Sequence, residues 1–184
     1  VQDPASRLMA LASGAAPGMR VLDMCAAPGG KSFAAAIQMD NQGEVISCDL
    51  HPHKKKLIQA GADRLGLSII KPMTADGKVR REEWVSAFDL VLVDAPCSGL
   101  GVIRKKPDIR YKDPKPLEDL PQVQQAILEN AAGYVKAGGV LMYSTCTILP
   151  RENGEVVSAF LEKHPEFVRE AFELPGAAGR VEAG

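Results

Sequence analysis

Short apolar runs alternate with longer amphipathic runs along most of this 184-residue chain, and this alternation restricts the fold more than any other feature. The apolar runs are rich in Val, Ile and Leu, which is typical of buried strands, and the runs between them have helical spacing. Strands that alternate with helices predict an α/β fold, a doubly wound sheet with mostly parallel strands. The predicted strands cover residues 20–25, 43–50, 67–73, 88–96, 139–146 and 166–174, and the predicted helices cover residues 31–39, 52–65, 117–135 and 152–163.

Four segments with unusual residues lie at the ends of predicted strands or directly after them. They are "CAAPGGKS" at 25–32, Asp49, "DAPCSG" at 94–99 and "STCT" at 144–147. The carboxyl ends of parallel strands meet at one edge of a sheet, and ligands bind at that edge near the point where the strand order reverses. We therefore expect the four segments to form one site.

The segment "CAAPGGKS" is similar to a phosphate-binding P-loop, which reads G-x-x-x-x-G-K-[ST]. Gly30, Lys31 and Ser32 match this pattern, but Cys25 stands where the first glycine belongs. Glycines between a strand and a helix let the backbone approach a ligand and place N–H groups at the start of the helix. Since "LVLVDAP" at 90–96 could serve as a magnesium-binding strand, an ATP-binding module is one alternative. The other alternative is a turn built for a different ligand.

Two acidic residues follow the second and third predicted strands. Asp49 ends the second strand. Its distance along the chain from the glycine turn is close to the offset of about 20 residues at which a carboxylate binds the hydroxyl groups of a ribose. A P-loop does not need this carboxylate, whereas an adenosine-type ligand along the sheet edge does. Asp76 could hold an adenine amino group in a similar way, or it could form a plain Asp-Gly turn. The spacing does not decide between these two interpretations of Asp76.

Cys97 in "DAPCSG" and Cys146 in "STCT" follow neighbouring strands, each in a turn of small residues. A thiolate is a suitable nucleophile for C6 of a pyrimidine, and its addition makes C5 able to accept a methyl group. A second thiol could assist removal of the C5 proton and expulsion of the first thiolate. Asp94 could hydrogen-bond the polar edge of the base as charge moves through the ring. Spacing alone leaves open which cysteine attacks.

The net charge of −1 does not indicate a nucleic-acid-binding protein, although basic residues cluster at 51–56 and at 104–115. On charge alone, each cluster is more simply a solvated surface. No apolar run approaches the roughly 20 residues of a membrane span and no leader-like segment opens the chain, so we expect a cytoplasmic protein without membrane contact. The four cysteines are widely spaced, which favours reduced thiols and argues against a zinc site, so we expect no metal.

Three long motifs are similar to the signature motifs of one enzyme family and follow each other in the same order. They are "DMCAAPGGKS" at 23–32, "DAPCSGLGVIRKKPDIR" at 94–110 and "YSTCTILPRENGEVV" at 143–157. On these motifs the chain resembles the RNA (cytosine-5) methyltransferases of the Sun/RsmB family, in particular their bacterial ribosomal RNA branch. The resemblance implies a class I, Rossmann-like methyltransferase fold that depends on S-adenosylmethionine. It also implies methyl transfer to C5 of a cytosine in RNA through a covalent Cys146–C6 adduct.

The resemblance also implies roles for the site residues. It makes Cys146 the nucleophile and Cys97 the residue that assists release of the methylated base, with Asp94 as a third catalytic residue. Lys31 is expected to help position the cofactor or the base, whereas Cys48 is expected only to pack in the core. The cofactor-binding residues that the resemblance implies are Cys25, Ala26, Ala27, Pro28, Gly29, Gly30, Lys31, Asp49, Asp76 and Asp94.

With RNA as the substrate, the basic segment 104–115 gains a role, because lysine and arginine contacts with phosphates supply affinity irrespective of sequence. We expect Arg104, Lys105, Lys106 and Arg110 to bind RNA. A target base in paired RNA would also have to leave its stack to reach the nucleophile. Small-subunit ribosomal RNA is the leading substrate, and transfer RNA is an alternative.

Members of this branch carry an RNA-binding domain before the catalytic domain, and more strand sequence after the sixth strand. We therefore expect residues 1–184 to form a single catalytic domain, monomeric and without its last strand, that belongs to a longer protein. Such a piece should bind the cofactor but methylate RNA poorly. Besides the ATP-binding module, a non-catalytic RNA- or ribosome-binding protein with the same fold is a further alternative, and the intact cysteine pair argues against it.

Overall fold

The computed structural model describes residues 8–9, 11–111, 113, 117–173 and 180–181. The predicted alternation of strands and helices is present. The strands of the main sheet are β1 (Arg20–Asp23), β2 (Glu44–Asp49), β3 (Ile70–Thr74), β4 (Phe88–Asp94) and β5 (Val135–Ser144), and the helices are α1 (Gly30–Gln38), α2 (Pro52–Leu65), α3 (Leu120–Ala132) and α4 (Gly154–Lys163). Among the described residues, no helix combines the length and apolar character that a bilayer crossing requires.

The five strands form one parallel sheet with the order β3-β2-β1-β4-β5. The strand order reverses between β1 and β4, because the chain runs outward from β1 to β3 and then returns to the other side of β1. Ligands of such sheets bind in the crevice at this reversal, outside the carboxyl ends of the strands. The sheet confirms the doubly wound α/β fold that the sequence predicts.

Apolar side chains on the two faces of the sheet form two separate cores. Successive residues of a strand point to opposite faces, so Leu22 belongs to one core and Val21 to the other. The core around Leu22 is covered by α3 and α4, and the core around Val21 is covered by α1 and α2. Because helices pack on both faces, the carboxyl ends of the strands are held in fixed positions.

The predicted helix over 117–135 is too long at both ends. The helix is α3, which ends earlier, and the glycines at 138 and 139 lie inside β5 and do not close the helix. The backbone oxygen of Tyr134 accepts hydrogen bonds from the N–H groups of Ala87 and Phe88, which brings the chain into the sheet beside β4. A register shift at the start of β4 accommodates the glycine-containing part of β5.

The predicted sixth strand over 166–174 is mostly not a strand. The structure has a short strand β6, Phe172–Glu173, that pairs antiparallel with β7, Arg180–Val181, in a separate two-stranded sheet. In the part of the chain that the structure describes, neither strand joins the main sheet. The last predicted helix also begins later than expected, because Pro150–Glu152 form a 3₁₀ turn before α4.

Candidate active site

The segment 25–32 lies between β1 and the start of α1, at the carboxyl end of the sheet. Its backbone is tied to the neighbouring strand β2, where the N–H group of Ala26 donates to the oxygen of Cys48 at 2.7 Å. Gly29 has a φ of 110°, and a Cβ atom there would lie 2.3 Å from Cζ of Phe33, so this turn requires glycine. The segment therefore stands beside the point where the strand order reverses.

A buried carboxylate that sequence reasoning missed lies at the start of this segment. Asp23 ends β1 and is fully buried, and its Oδ2 accepts a 2.7 Å hydrogen bond from Ser32 Oγ, which accepts one from Ser47 Oγ at 2.8 Å. Burial raises the pKa of Asp23 to about 6, and the charge of Asp94 adds to this rise. An Asp inside an apolar strand was the available signal, because Asp is rarely fully buried without a partner.

The contacts of Lys31 and Ser32 argue against the P-loop interpretation. In a P-loop, the lysine reaches the phosphates and the Ser or Thr hydroxyl binds Mg²⁺. Here Ser32 Oγ donates to Asp23 inside the core, and Lys31 Nζ lies 2.5 Å from Oδ2 of Asp94. Both groups already have protein partners, so the geometry favours a turn built for a different ligand.

Asp94 ends β4 and connects the "CAAPGGKS" turn with β5. One of its oxygens accepts the hydrogen bond from Lys31, and the other accepts a 2.7 Å hydrogen bond from Ser144 Oγ. The side chain of Lys31 is only 13% exposed, so this ion pair lies largely inside the crevice. Each carboxylate oxygen can accept a second hydrogen bond, so Asp94 retains capacity for a donor group of a ligand.

Asp49 and Asp76 lie at the carboxyl ends of β2 and β3. Oδ1 of Asp49 accepts a 3.0 Å hydrogen bond from the N–H group of His51, and Lys54 Nζ lies 3.5 Å from the same carboxylate. Oδ1 of Asp76 accepts a 2.9 Å hydrogen bond from the N–H group of Lys78. Asp76 therefore forms the turn that one of its two interpretations predicts, and its role towards a cofactor stays a prediction.

The structure brings Cys97 and Cys146 together. Their Sγ atoms are 2.9 Å apart, and the N–H group of Cys146 donates to Sγ of Cys97 at 3.2 Å. The hydrogen bond from Cys97 lowers the pKa of Cys146 to about 7, and the positive charge of Lys106 also lowers it, while burial acts in the opposite direction. The same contact and burial raise the pKa of Cys97 well above its usual range. The contact therefore favours the thiolate form at Cys146 over that at Cys97.

Asn153, which sequence reasoning missed, holds the loop around Cys146. Its Oδ1 accepts a 2.5 Å hydrogen bond from Thr145 Oγ1, and its Nδ2 donates to the backbone oxygen of Thr147 at 3.1 Å. These two contacts lie on either side of Cys146 in the chain. Nδ2 also donates to the backbone oxygen of Leu149 at 3.2 Å, so one side chain fixes the whole turn that carries the thiol.

Glu152 was also missed, and it holds the loop around Cys97. The side chain is fully buried, and its Oε2 accepts hydrogen bonds from the N–H group of Ser98 at 2.8 Å and from Gln124 Nε2 at 3.0 Å. Gln124 Nε2 also donates to the backbone oxygen of Pro96 at 2.9 Å. The contacts on Ser98 and Pro96 flank Cys97 in the chain. In the sequence "PRENGEVV", nothing local distinguishes this buried Glu from an exposed one at a helix start.

The segment predicted to bind RNA follows the Cys97 loop and lies on the surface, partly as a 3₁₀ turn over Pro107–Tyr111. Its positive charge acts on the thiol pair, since Lys106 is one of the causes that lower the pKa of Cys146. Lys112 and Lys115 lie outside the described residues. The exposed basic side chains of the segment include Arg104, Lys105, Lys106 and Arg110.

The other two cysteines differ from this pair. Cys48 is buried in the core, as predicted, and burial raises its pKa to about 12. Burial also raises the pKa of Cys25 above its usual range. Within the described ranges, no three or more His, Cys, Asp or Glu side chains are grouped to hold a metal ion. Reactive thiol chemistry at this edge of the sheet therefore depends on Cys97 and Cys146.

Comparison with known proteins shows similarity over nearly the whole chain. A family model described as "16S rRNA methyltransferase RsmB/F" matches residues 10–181. The "Probable ribosomal RNA small subunit methyltransferase B" of Bacillus subtilis (strain 168) is 51% identical over 169 residues, which are 91% of this chain and 38% of that protein. The "Ribosomal RNA small subunit methyltransferase F" of Erwinia tasmaniensis is 38% identical over 172 residues, which are 92% of this chain and 36% of that protein.

Solved structures show the same similarity. The structure of NSun6 from Pyrococcus horikoshii with SFG is 28% identical and has a TM-score of 0.82, covering 97% of this chain and 45% of that one. A methyltransferase homolog protein from Pyrococcus horikoshii is 31% identical and has a TM-score of 0.78, covering 94% of this chain and 53% of that one. The chain thus spans about two-fifths of the length of the two relatives above.

Proposed function

The chain belongs to the RsmB/F family of 16S rRNA methyltransferases, and from this membership we propose that it is the catalytic part of an enzyme that methylates C5 of a cytosine in RNA. The methyl donor is S-adenosylmethionine. The leading substrate is small-subunit ribosomal RNA, because both relatives carry it in their names, while transfer RNA has no such support. The observation that carries the proposal is the 2.9 Å contact between Cys97 and Cys146, with a lowered pKa for Cys146.

The carboxylates of the crevice suit S-adenosylmethionine, whose ribose hydroxyls, adenine amino group and ammonium group are all hydrogen-bond donors. Asp49, Asp76 and Asp94 are acceptors at the carboxyl ends of β2, β3 and β4, and each has capacity beyond its bonds within the protein. We assign the ribose to Asp49 and the adenine amino group to Asp76, with the backbone from Cys25 to Lys31 around the rest. The bound cofactor supplies an electrophilic methyl group.

Cys146 is the proposed nucleophile. Its thiolate forms a bond to C6 of the cytosine, and the electron pair of the C5–C6 double bond moves to C5, which can then accept a methyl group. Asp94, next to Lys31, hydrogen-bonds the polar edge of the base as charge moves through the ring. The S–H group of Cys97 donates to the Cys146 sulfur and lowers the pKa of its thiol, which favours the nucleophilic thiolate.

Cys97 is the proposed release residue. The hydrogen bond to Cys146 is the largest cause of its raised pKa, and this cause disappears once the Cys146 thiolate has become a neutral thioether. Cys97 can then lose its proton to solvent and take the proton from C5 of the methylated base. The electron pair of the C5–H bond restores the C5–C6 double bond, the S–C6 bond breaks, and Cys146 leaves as a thiolate.

The exposed basic segment is proposed to bind the RNA backbone. Phosphate contacts orient RNA without reading its sequence, and the segment lies next to the thiol pair, where the target base must enter. A cytoplasmic location and a monomeric state remain predictions. The proposed phosphate-binding residues are Arg104, Lys105, Lys106 and Arg110.

A mechanism-based trap tests the assignment. RNA with 5-fluorocytidine at the target cannot lose a proton from C5, so wild-type protein with S-adenosylmethionine should form an RNA–protein adduct that survives denaturing electrophoresis. Cys146→Ala should form no adduct. Cys97→Ala should accumulate adduct even on ordinary cytidine RNA, because release is blocked. Cys48→Ala, which removes a core thiol, is the matched control and should behave like the wild type. Loss of the adduct in Cys97→Ala, with adduct retained in Cys146→Ala, would reverse the two roles.

A further inference from the structure

A cleft of about 600 Å³ lies beside the loop that carries Cys146. One wall comes from the segment after Cys97 and includes Ile109 and Arg110, and the facing wall comes from Leu149, Pro150 and Arg151. The volume lies within the range of sites that bind small molecules or single nucleotides. The proposed reaction uses the crevice at the strand ends and does not use this cleft.

The cleft adjoins the thiol pair. A Cβ atom on Gly99 would lie 3.0 Å from Cδ1 of Ile109 and 3.9 Å from Sγ of Cys146, so the apolar wall and the thiol border the same glycine. The facing wall is tied to the loop that carries Cys146, because Asn153 Nδ2 donates to the backbone oxygens of both Thr147 and Leu149. A ligand in the cleft would therefore lie next to a base bonded to Cys146.

The walls of the cleft carry basic, apolar and acidic side chains. Arg110 and Arg151 are exposed, and among the described residues neither guanidinium has an ion-pair partner. Ile109, Leu149 and Pro150 supply an apolar surface. The acidic side chains of the lining are Glu118 and Glu155.

This combination suits a nucleotide better than a free anion. Guanidinium groups bind phosphates with their fork of N–H donors, and apolar side chains cover the face of a base. A free phosphate ion would meet the two carboxylates as well as the two arginines. A nucleotide separates these groups, because its phosphate can face the arginines while an amino group of its base faces Glu118 or Glu155.

We propose that this cleft binds a nucleotide that flanks the target cytosine in single-stranded RNA, with Arg110 and Arg151 on its phosphate. The proposal rests on the proposed function, since it presumes an RNA substrate at Cys146. Glu118 and Glu155 accept hydrogen bonds from base amino groups. The cleft therefore favours adenine, cytosine or guanine over uracil at the flanking position, since each of these three bases has an amino group with two N–H donors and uracil has only its ring N–H.

The first test measures binding of a fluorescein-labelled single-stranded RNA by anisotropy as a function of salt. For Arg151→Gln we expect affinity to fall about three- to tenfold and the slope of log K against log salt to decrease by about 0.7, since one phosphate contact is lost. Arg64→Gln, an exposed change on α2, is the matched control and should keep the wild-type slope. A wild-type slope for Arg151→Gln would overturn the cleft proposal.

The second test places each of the four bases in turn at each neighbour of the target cytosine. At one of the two positions, we expect wild-type affinity to be about threefold or more lower with uridine than with the other three bases, and the Glu118→Ala, Glu155→Ala double variant, which removes both acceptors, to lose this difference. Equal affinity for all four bases at both positions would overturn the role of the carboxylates. Adduct formation with 5-fluorocytidine RNA separates the two proposals. If wild type forms the adduct while Arg151→Gln keeps the wild-type salt slope, only the cleft proposal fails. If wild type neither binds RNA nor forms the adduct, both proposals fail.

Discussion

At the carboxyl ends of β2 and β3, Asp49 and Asp76 each accept a hydrogen bond from a backbone N–H group two residues further along the chain. At the ends of β4 and β5, by contrast, the N–H group of Ser98 beside Cys97 reaches Glu152, 54 residues away. We call these regions the carboxylate side and the thiol side. The carboxylate groups of the carboxylate side are positioned by these local contacts. The thiol side forms only when β5 and the start of α4 have packed against the Cys97 loop, so distant substitutions should disturb it more.

The largest expected effect comes from removing the buried carboxylate of the thiol side. Glu152→Ala leaves the N–H group of Ser98 without its acceptor and Gln124 Nε2 with one acceptor fewer. A buried donor without an acceptor costs about 1–3 kcal/mol, so we expect the free energy of unfolding to fall by about 3 kcal/mol. Urea unfolding measures this loss. Glu162→Ala, an exposed change on α4, is the control and should cost little.

Glu152→Gln keeps one acceptor for Ser98 and should recover much of the lost stability. In this variant, the pH profile of Cys146 alkylation shows whether Glu152 also positions the thiols. We expect the profile to move to higher pH, because a looser Cys97 loop weakens the contact that lowers the pKa of Cys146. An unchanged profile in both Glu152 variants would mean that the thiol pair keeps its geometry without this carboxylate.

Between the two sides, at the end of β1, the buried Asp23 should have the opposite effect on stability. Burial raises its pKa from 3.8 to about 6, so above pH 6 the folded state carries a charge that it disfavours by up to about 3 kcal/mol. Asp23→Asn keeps an acceptor for Ser32 but adds amide hydrogens without acceptors. We therefore expect a net gain of about 1–2 kcal/mol at pH 8, measured by urea unfolding in the absence of cofactor.

The pH dependence checks the cause of this gain. Between about pH 4 and pH 6 the folded state binds more protons at Asp23 than the unfolded state does, so the contribution of Asp23 to stability falls as pH rises through this window. The free energy of unfolding of Asp23→Asn lacks this fall. The difference in free energy of unfolding between the variant and wild type should therefore grow in favour of the variant from pH 4 to pH 6 and then stay constant. Asp108→Asn, at an exposed site, should show no such change. A loss of stability at pH 8 in Asp23→Asn would contradict the argument.

The same contrast explains how much of the molecule could be predicted from sequence. The parallel sheet, the position of Asp49 at its carboxyl edge and the approach of Cys97 to Cys146 followed from short apolar runs and from what comes after them, which are local features. Asn153 was missed although its partners lie within eight residues of it, because the path of the turn that they form cannot be read from residue types. Glu152 was missed because its partners Ser98 and Gln124 lie far away in the chain and meet it only in the folded sheet. The boundary of α3 was misplaced for a similar reason, since contacts with β4 draw the chain into β5.

Removing the thiol of Cys97 should have a smaller effect, on the rate at which Cys146 is alkylated. The direction of this effect should change with pH. In Cys97→Ala, the pKa of Cys146 should rise from about 7 towards its ordinary 9, because the hydrogen bond to the thiolate is lost. At pH 7 the thiolate fraction then falls about fiftyfold, while the more basic thiolate is about eightfold more nucleophilic. We expect iodoacetamide to alkylate Cys146 about sixfold more slowly at pH 7 and about sevenfold faster at pH 10.

Mass spectrometry of the alkylated peptides assigns the reaction to Cys146. Cys48→Ala is the control, because Cys48 is buried in the core and its pKa is raised to about 12. That variant should keep the wild-type profile. A Cys97→Ala profile that still has its midpoint near pH 7 would show that the neighbouring thiol is not what lowers the pKa of Cys146.

The smallest expected effect comes from removing the charge of Lys106. It separates the contribution of charge to the pKa of Cys146 from the contribution of the hydrogen bond with Cys97. Lys106 lowers the pKa of Cys146 through its charge alone, so Lys106→Gln should slow alkylation at pH 7 by only about twofold. The difference should shrink in about 0.5 M salt, because mobile ions screen exposed charges, whereas the effect of Cys97→Ala should persist. Arg104→Gln, in the same exposed segment, is the control and should change the rate less. If the Lys106→Gln effect did not depend on salt, the lysine would act through packing, and the basic segment would be a structural part of the thiol side.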